Sequence, residues 1–175
     1  METSARQVTD TLGFLLGTWQ VTRSIDDRRA GVRGSFDGTA VVAGLEGAGG
    51  LAGSSGLAGT AGPAGAPGGD LLRPGAQAGY TETGTLRFGM HQGPARRQLT
   101  VTRLDGGAVL LSFADGRPYI ELDLSTGSCA RTHPCRADTY EVTILVRSHD
   151  ELEERWWVRG PAKDYRAVTT LLRLG

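Results

Sequence analysis

Lysine is nearly absent from this chain: Lys163 is the only one among 19 basic residues. Codon bias in a GC-rich genome gives that pattern, and it carries no functional reading by itself. Cysteine is scarce too. Cys129 and Cys135 are the only two, and no second Cys/His pair stands at zinc-site spacing, so no metal centre is expected. An excess of one charge is also missing, since 19 basic residues meet 19 acidic ones. That argues against a nucleic-acid or anionic-membrane partner held by bulk charge, although a local basic patch stays open. No apolar run approaches the roughly 20 residues that a membrane helix needs. The opening METSARQVTDTLG is polar and holds no signal-peptide core. The expectation is a cytoplasmic chain with reduced thiols.

Glycine is what the chain has in plenty, with 27 in 175 residues. Much of it falls in residues 44–79, a stretch dominated by Gly, Ala, Pro and Ser with no aromatic side chain. Such a stretch cannot bury enough apolar surface to offset its ordering entropy. It reads as a flexible insertion between two neighbouring strands, with a functional lid as the alternative. A collagen-type helix is excluded because glycine does not recur strictly at every third residue. The length fits one domain, 1–175.

Outside that stretch the pattern is mostly that of strands. Val8, Leu12, Leu15 and Leu16 recur at helical spacing and predict a short helix over 5–16, with Ser4 as its N-cap. From Trp19 the period changes to two, and Trp19, Val21, Arg23 and Ile25 share a face. Further strands are expected over 33–43, 80–88, 97–104, 108–114, 118–124, 138–147, 151–159 and 163–173. Gly34 and Gly38 suggest sharp curvature in the second of them. Turn signals fall at Gln92-Gly93-Pro94, Asp105-Gly106-Gly107, Asp115-Gly116, Ser148-His149-Asp150 and Gly160-Pro161. About nine evenly spaced strands with tight turns imply an all-β, antiparallel up-and-down barrel able to enclose a small molecule.

The run Leu16-Gly17-Thr18-Trp19-Gln20-Val21 resembles the first-strand signature of calycins, the superfamily of lipocalins, fatty-acid-binding proteins and nitrobindin-like haem proteins. The resemblance implies that the glycine turns the chain into the first strand and the tryptophan plugs the closed end. An arginine of the last strand, Arg166 or Arg173, would cover it. A longer set of motifs is more specific: Phe113-Ala114-Asp115-Gly116-Arg117-Pro118-Tyr119, Leu122-Asp123-Leu124, His133-Pro134-Cys135-Arg136-Ala137-Asp138-Thr139-Tyr140 and Trp157-Val158-Arg159-Gly160-Pro161-Ala162-Lys163-Asp164-Tyr165. In that order they resemble the family catalogued as domain of unknown function 6314, over nearly the whole chain except 44–79. In that family an aromatic residue and a histidine often follow the Arg-Pro pair. Here Tyr119 and Ile120 stand there, so no role for that histidine carries over. The family brings no settled biochemical role.

Several side-chain groups are candidates for chemistry. His133 and Cys135 share a face of an extended segment, with Asp138 and Tyr140 close behind. A partial metal site, a Cys–His nucleophile pair and acid–base work by His133 and Asp138 are weighed against a corner bent by Pro134. Adjacent same-face strand positions lie about 7 Å apart, too far for a Cys–His hydrogen bond without a bend. Lys163 in an apolar mouth would act as a base or amine nucleophile, but the neighbouring Asp164 favours its charged form. Arginines on strand faces (Arg23, Arg87, Arg155, Arg159) would need anionic partners if turned inward: a carboxylate ligand, or internal Glu82, Glu121, Glu141 or Glu153. His91 and His149 fall in turns, which disfavours haem ligation. The expected site therefore has His133, Asp138, Tyr140 and Lys163 as candidate catalytic residues. Arg23, Arg87, Tyr119, Cys135, Trp157, Arg159 and Tyr165 are the candidate ligand contacts, with no cofactor. The expected partner is a hydrophobic or amphipathic small molecule with a polar or anionic end, with no nucleic acid and no membrane, and a homodimer is left open. A cofactor-independent isomerase, cyclase or lyase is the alternative, since folding a reactive substrate needs orientation more than strong nucleophiles.

Overall fold

Alternating apolar and polar residues, broken by glycine-bearing turns, leave the chain one economical way to bury its apolar face, which is to coil a single antiparallel sheet around it. The computed structural model describes residues 5–45 and 71–175 and has this form. Ten strands follow one another: β1 (Gly17–Asp27), β2 (Val32–Gly44), β3 (Gln77–Phe88), β4 (His91–Arg103), β5 (Val109–Phe113), β6 (Pro118–Leu122), β7 (Ser128–Cys135), β8 (Asp138–Val146), β9 (Glu151–Arg159) and β10 (Asp164–Leu174). Every pair is antiparallel, and the order is β6-β5-β4-β3-β2-β1-β10-β9-β8-β7. The meander is thus closed by β1 against β10, and a seam remains between β6 and β7. At the seam Cys129 Sγ lies 3.8 Å from the Glu121 carbonyl, and Arg131 Nη2 lies 3.8 Å from Glu121 Oε1.

The inward residues form a continuous core from Leu12 and Trp19 to Val101, Ile144 and Leu171. The helix α1 (Thr11–Leu15) lies across one end. It is shorter than the expected 5–16 helix, and its N-cap is Asp10, whose carboxylate accepts from Gly13 N at 2.9 Å. Before it, Arg6 N donates to the Val146 carbonyl and Val8 N to that of Leu124. Backbone partners from the barrel therefore hold this segment extended. Ser4 lies outside the described residues.

Trp19 is only 1% exposed and its indole N–H donates to the Leu15 carbonyl at 2.9 Å. Of the two arginines proposed to cover it, Arg173 does so, with its guanidinium 4.1 Å from the ring. Arg173 also donates to the carbonyls of Phe14 and Leu16, tying α1 to β10. Gly17 has φ +116° and lies against Arg173 Nη1, so a side chain there would be strained and crowded.

Two expectations about strands change. A tenth strand, β7, was not anticipated: Ser128–Cys135 is polar and carries Pro134, which is tolerated because β7 is an edge. The β3–β4 turn falls at Gly89-Met90, so Gln92-Gly93-Pro94 and His91 belong to β4 rather than to a turn. The expected insertion over 44–79 lies largely outside the described residues. Gly44 ends β2 and Gln77 begins β3, both at the end covered by α1.

Candidate functional site

Strand alternation places Arg23, Glu82, Arg97 and Glu154 inside the barrel wall, where an unpaired charge would be costly. Glu82 of β3, 3% exposed, is the hub. Arg23 of β1 donates to both its oxygens at 3.0 Å and also to Thr169 Oγ1 at 2.8 Å. Arg97 of β4 donates to Glu82 Oε2 at 3.0 Å, and the Tyr80 hydroxyl donates to the same oxygen at 2.7 Å. Burial alone would raise the Glu82 carboxyl, but the hydrogen bond from Arg23 and the charges of Arg97 and Arg23 hold it below its ordinary value. Burial pushes the Tyr80 phenol up. Of the anionic partners considered for Arg23, the internal glutamate is therefore the one present. Arg97 also reaches the Tyr119 hydroxyl at 3.4 Å, while its Nε is buried without a partner among the described residues.

Above this hub the wall leaves open volume. A mouth pocket of about 270 Å³ is lined by Arg23, Arg97, Tyr119, Tyr140, Trp156 and Tyr165 among others. Beneath it a small apolar chamber of about 40 Å³ extends to Leu15, Val101 and Leu171. A third cavity, about 300 Å³, opens through the β6–β7 seam between Ile120, His133 and Val142. Tyr119 and Trp156 line all three, with stacked rings 5.7 Å apart. A bulge places Tyr119 there: Leu111 pairs with Ile120 but Ser112 pairs with Pro118, so Tyr119 is the extra residue and turns inward. Glu154, whose carboxylate accepts from the Trp156 indole N–H, lines both the mouth pocket and the chamber.

The expected meeting of the His133–Tyr140 region with the last hairpin occurs at the rim. Lys163 Nζ lies 2.5 Å from the Tyr140 hydroxyl and 3.3 Å from Asp138 Oδ2. The hydrogen bonds to Tyr140 and Asp138 push the Lys163 ammonium up to about 12, the opposite of what an amine base needs. Tyr165 shares the mouth pocket with Tyr140, and burial raises its phenol. His133 pairs with Tyr140 across β7 and β8 but lines the seam cavity, not the mouth, and is exposed. Cys135 ends β7 opposite Asp138. Three expected contacts do not face the cavity. Arg87 pairs with Asp37, both half-exposed on the outside. Trp157 and Arg159 alternate with inward Trp156 and Val158 and so lie on the outer wall. There Arg159 and Arg166 cover the Trp157 ring at 3.6 and 4.2 Å, and Arg159 pairs with Glu141. Among the described residues no three His, Cys, Asp or Glu side chains gather as a metal site, and no helix is long and apolar enough to cross a membrane.

Sequence reasoning missed Arg97, Tyr80, Glu154 and Trp156 as site residues. The signal was present as parity. Arg97 shares a face with its neighbours Ala95, Leu99 and Val101, and Glu154 with Leu152, Trp156 and Val158, so each is a charge set among apolar neighbours on its own face.

A near-closed antiparallel barrel with a plugged end and a polar-floored mouth is the architecture of calycin-like proteins. The chain belongs to the family of unknown function DUF6314, whose pattern it matches over residues 15–173. The fold is similar to that of an S-type phycobiliprotein lyase, CPES, from Guillardia theta. The two are 11% identical with a TM-score of 0.58, covering 97% of this chain and 94% of that one. More distant likenesses are a redesigned β-barrel, mFAP0, bound to DFHBI (14% identity, TM-score 0.40, 91% and 99% covered) and a protein of unknown function of the DUF3598 family from Nostoc punctiforme (10% identity, TM-score 0.41, 98% and 51% covered). The sequence matches no curated protein.

Proposed function

We propose that this protein binds a flat, amphipathic small molecule in the mouth pocket, its apolar part against Trp156, Tyr119 and Tyr165 and its polar end toward Arg97. The observation that carries this reading is the stacked Tyr119–Trp156 pair at the junction of three cavities, directly beside a buried arginine that is not fully hydrogen-bonded. Ligand pockets combine an apolar lining with a few placed polar groups in this way, in volumes of about 300–1,000 Å³. At about 270 Å³ the mouth pocket lies just below that range, which limits the ligand to two or three rings. The resolved shifts at the site favour binding over proton transfer. Burial raises Tyr119 and Tyr165, hydrogen bonds raise Lys163, and arginine contacts lower Glu82, all moving away from neutrality.

The test uses 1-aminoanthracene, an uncharged fluorescent probe, titrated into the full chain. A blue-shifted, saturable signal is expected. Trp156→Ala and Tyr165→Ala should each weaken binding about tenfold or more, while Arg159→Ala on the outer wall leaves it unchanged. No saturable signal, or equal affinity in Trp156→Ala, would remove the mouth pocket from consideration. Native mass spectrometry of freshly purified protein then seeks the natural ligand as a co-purified mass.

A further inference from the structure

We propose that the pocket selects a ligand whose polar head is uncharged and carries a hydrogen-bond donor beside an acceptor, as in a lactam or primary amide, and that Glu154 sets this choice. The assignment rests on the binding reading above and narrows its ligand. Charge is the first reason. The pocket and its floor hold two cations, Arg23 and Arg97, and two carboxylates, Glu82 and Glu154. Glu82 is saturated: Arg23 donates to both its oxygens, and Arg97 and Tyr80 donate to Oε2. Arg97 therefore offers no unbalanced positive charge to an anion, because Glu154 lines the same pocket and chamber and contributes to the field that keeps Arg97 charged. A carboxylate ligand would add a third negative charge to a partly dehydrated space, and an ammonium a third positive one.

The remaining hydrogen-bonding capacity is the second reason. Arg97 Nη1 makes only the long 3.4 Å contact to Tyr119, and the Tyr119 proton has no acceptor among the described residues. Donors are thus available on that side. Among the described residues Glu154 accepts only from the Trp156 indole, on Oε1, which leaves its Oε2 as an available acceptor. An ionised carboxylate supplies no donor for Glu154, and an ammonium supplies no acceptor for Arg97 and Tyr119. A head with C=O beside N–H satisfies both while its ring system lies on Trp156.

Four naphthalenes that differ only at one position separate these possibilities by isothermal titration: 2-naphthamide, 2-naphthoate, methyl 2-naphthoate and 2-naphthylmethylammonium. In the unaltered protein 2-naphthamide should bind about tenfold more tightly than either ion, and more tightly than the ester, which accepts but cannot donate. In Glu154→Gln, which removes one negative charge at the same shape, 2-naphthoate should gain about tenfold and 2-naphthylmethylammonium should lose. If 2-naphthoate equals 2-naphthamide in the unaltered protein, or if Glu154→Gln leaves the order as it was, the head-group assignment is wrong while the pocket stands. Failure of all four to bind, with 1-aminoanthracene also silent, overturns the pocket reading and this assignment with it. The order in the unaltered protein decides the head-group class even if the variant does not fold, and the Glu154→Gln order decides whether Glu154 sets it.

Discussion

At the closed end of the barrel an arginine lies on a tryptophan, and the space around them is full. Trp19, Leu12 and Val21 are essentially inaccessible, the indole is bonded to Leu15, and Arg173 fixes α1 through two carbonyls. At the mouth the same residue types meet, Arg97 with Tyr119 and Trp156 nearby, but volume is left between them and Arg97 reaches the Tyr119 hydroxyl only at 3.4 Å. An Nε without a hydrogen-bond partner among the described residues is common to Arg97 and Arg173 and does not distinguish the two ends. One end has been packed to density, where each lost methylene is felt. The other has forgone that packing, and an aromatic surface next to incomplete polar contacts is what a ligand would complete. Stability should therefore reside at the plug and in the Glu82 hub, and affinity at the rim.

The comparison breaks most visibly if Trp19 is not the plug it resembles. Trp19→Ala is expected to cost about 3–5 kcal/mol, as truncation of large buried aromatics does, read from the urea midpoint. Folded variant protein should still bind 1-aminoanthracene, since Trp19 does not line the mouth pocket. An unchanged midpoint would leave the plug without a structural role.

Glu82 tests the boundary between the two ends. Glu82→Gln leaves Arg23 and Arg97 without their shared carboxylate. Breaking a fully buried pair costs about 3–5 kcal/mol, but both arginines keep some solvent contact, so about 2 kcal/mol is expected. The folded pKa of Glu82 lies below its ordinary value. Its stabilisation is thus complete above the unfolded carboxylate range and is lost as pH falls through the folded value. Acid unfolding should become less steep in Glu82→Gln. A steeper profile would mean that the carboxylate is not held ionised by its arginines.

A smaller effect is expected from the Gly-rich segment. Replacing 46–70 with a short Gly-Ser linker should keep the cooperative thermal transition and raise stability by about 1 kcal/mol through the cheaper loop closure. Loss of cooperativity would place those residues in the core. Because β2 and β3 join this segment at the plugged end, its removal should leave probe affinity at the mouth unchanged.

How far the molecule could be read from its sequence follows the same division. The plug was legible through the resemblance of Leu16–Val21 to the calycin first strand, which implied roles for Gly17 and Trp19 but left Arg166 and Arg173 both open as the cover; the structure gives Arg173. The strands were legible from period-two alternation, except β7, whose polar edge and Pro134 hide the alternation. The mouth was harder. Arg97 and Glu154 become meaningful only once parity is fixed across ten strands, and the bulge that turns Tyr119 inward changes parity within β6. Trp157 and Arg159 were attractive as residue types, yet one position of alternation put them outside. Concentration of ionisable groups located the rim cluster but did not separate His133, on the seam, from Tyr140 and Tyr165, in the pocket.

Lys163 gives the smallest expected effect on stability and the sharpest test of what the rim does. Its ammonium joins Tyr140 and Asp138 and is fully charged at neutral pH, the hydrogen bond to Tyr140 being the main reason that it is pushed up to about 12. Whatever that raised value contributes to stability is complete below the ordinary lysine range and lost only as pH rises through about 12. Lys163 does not line the mouth pocket, but it holds the hydroxyl of Tyr140, which does. Lys163→Ala should therefore leave the neutral denaturation midpoint unchanged and weaken 1-aminoanthracene binding about threefold, the worth of one modest hydrogen bond acting through Tyr140. Lys163→Arg should restore most of the affinity, since a guanidinium can also donate to the phenol and pair with Asp138. Tyr140→Phe should reproduce the loss and make the Lys163 change silent when the two are combined, as a coupled pair requires. An amine acting as a base or nucleophile would behave otherwise: arginine would not rescue it, and the effect would depend on pH across the neutral range.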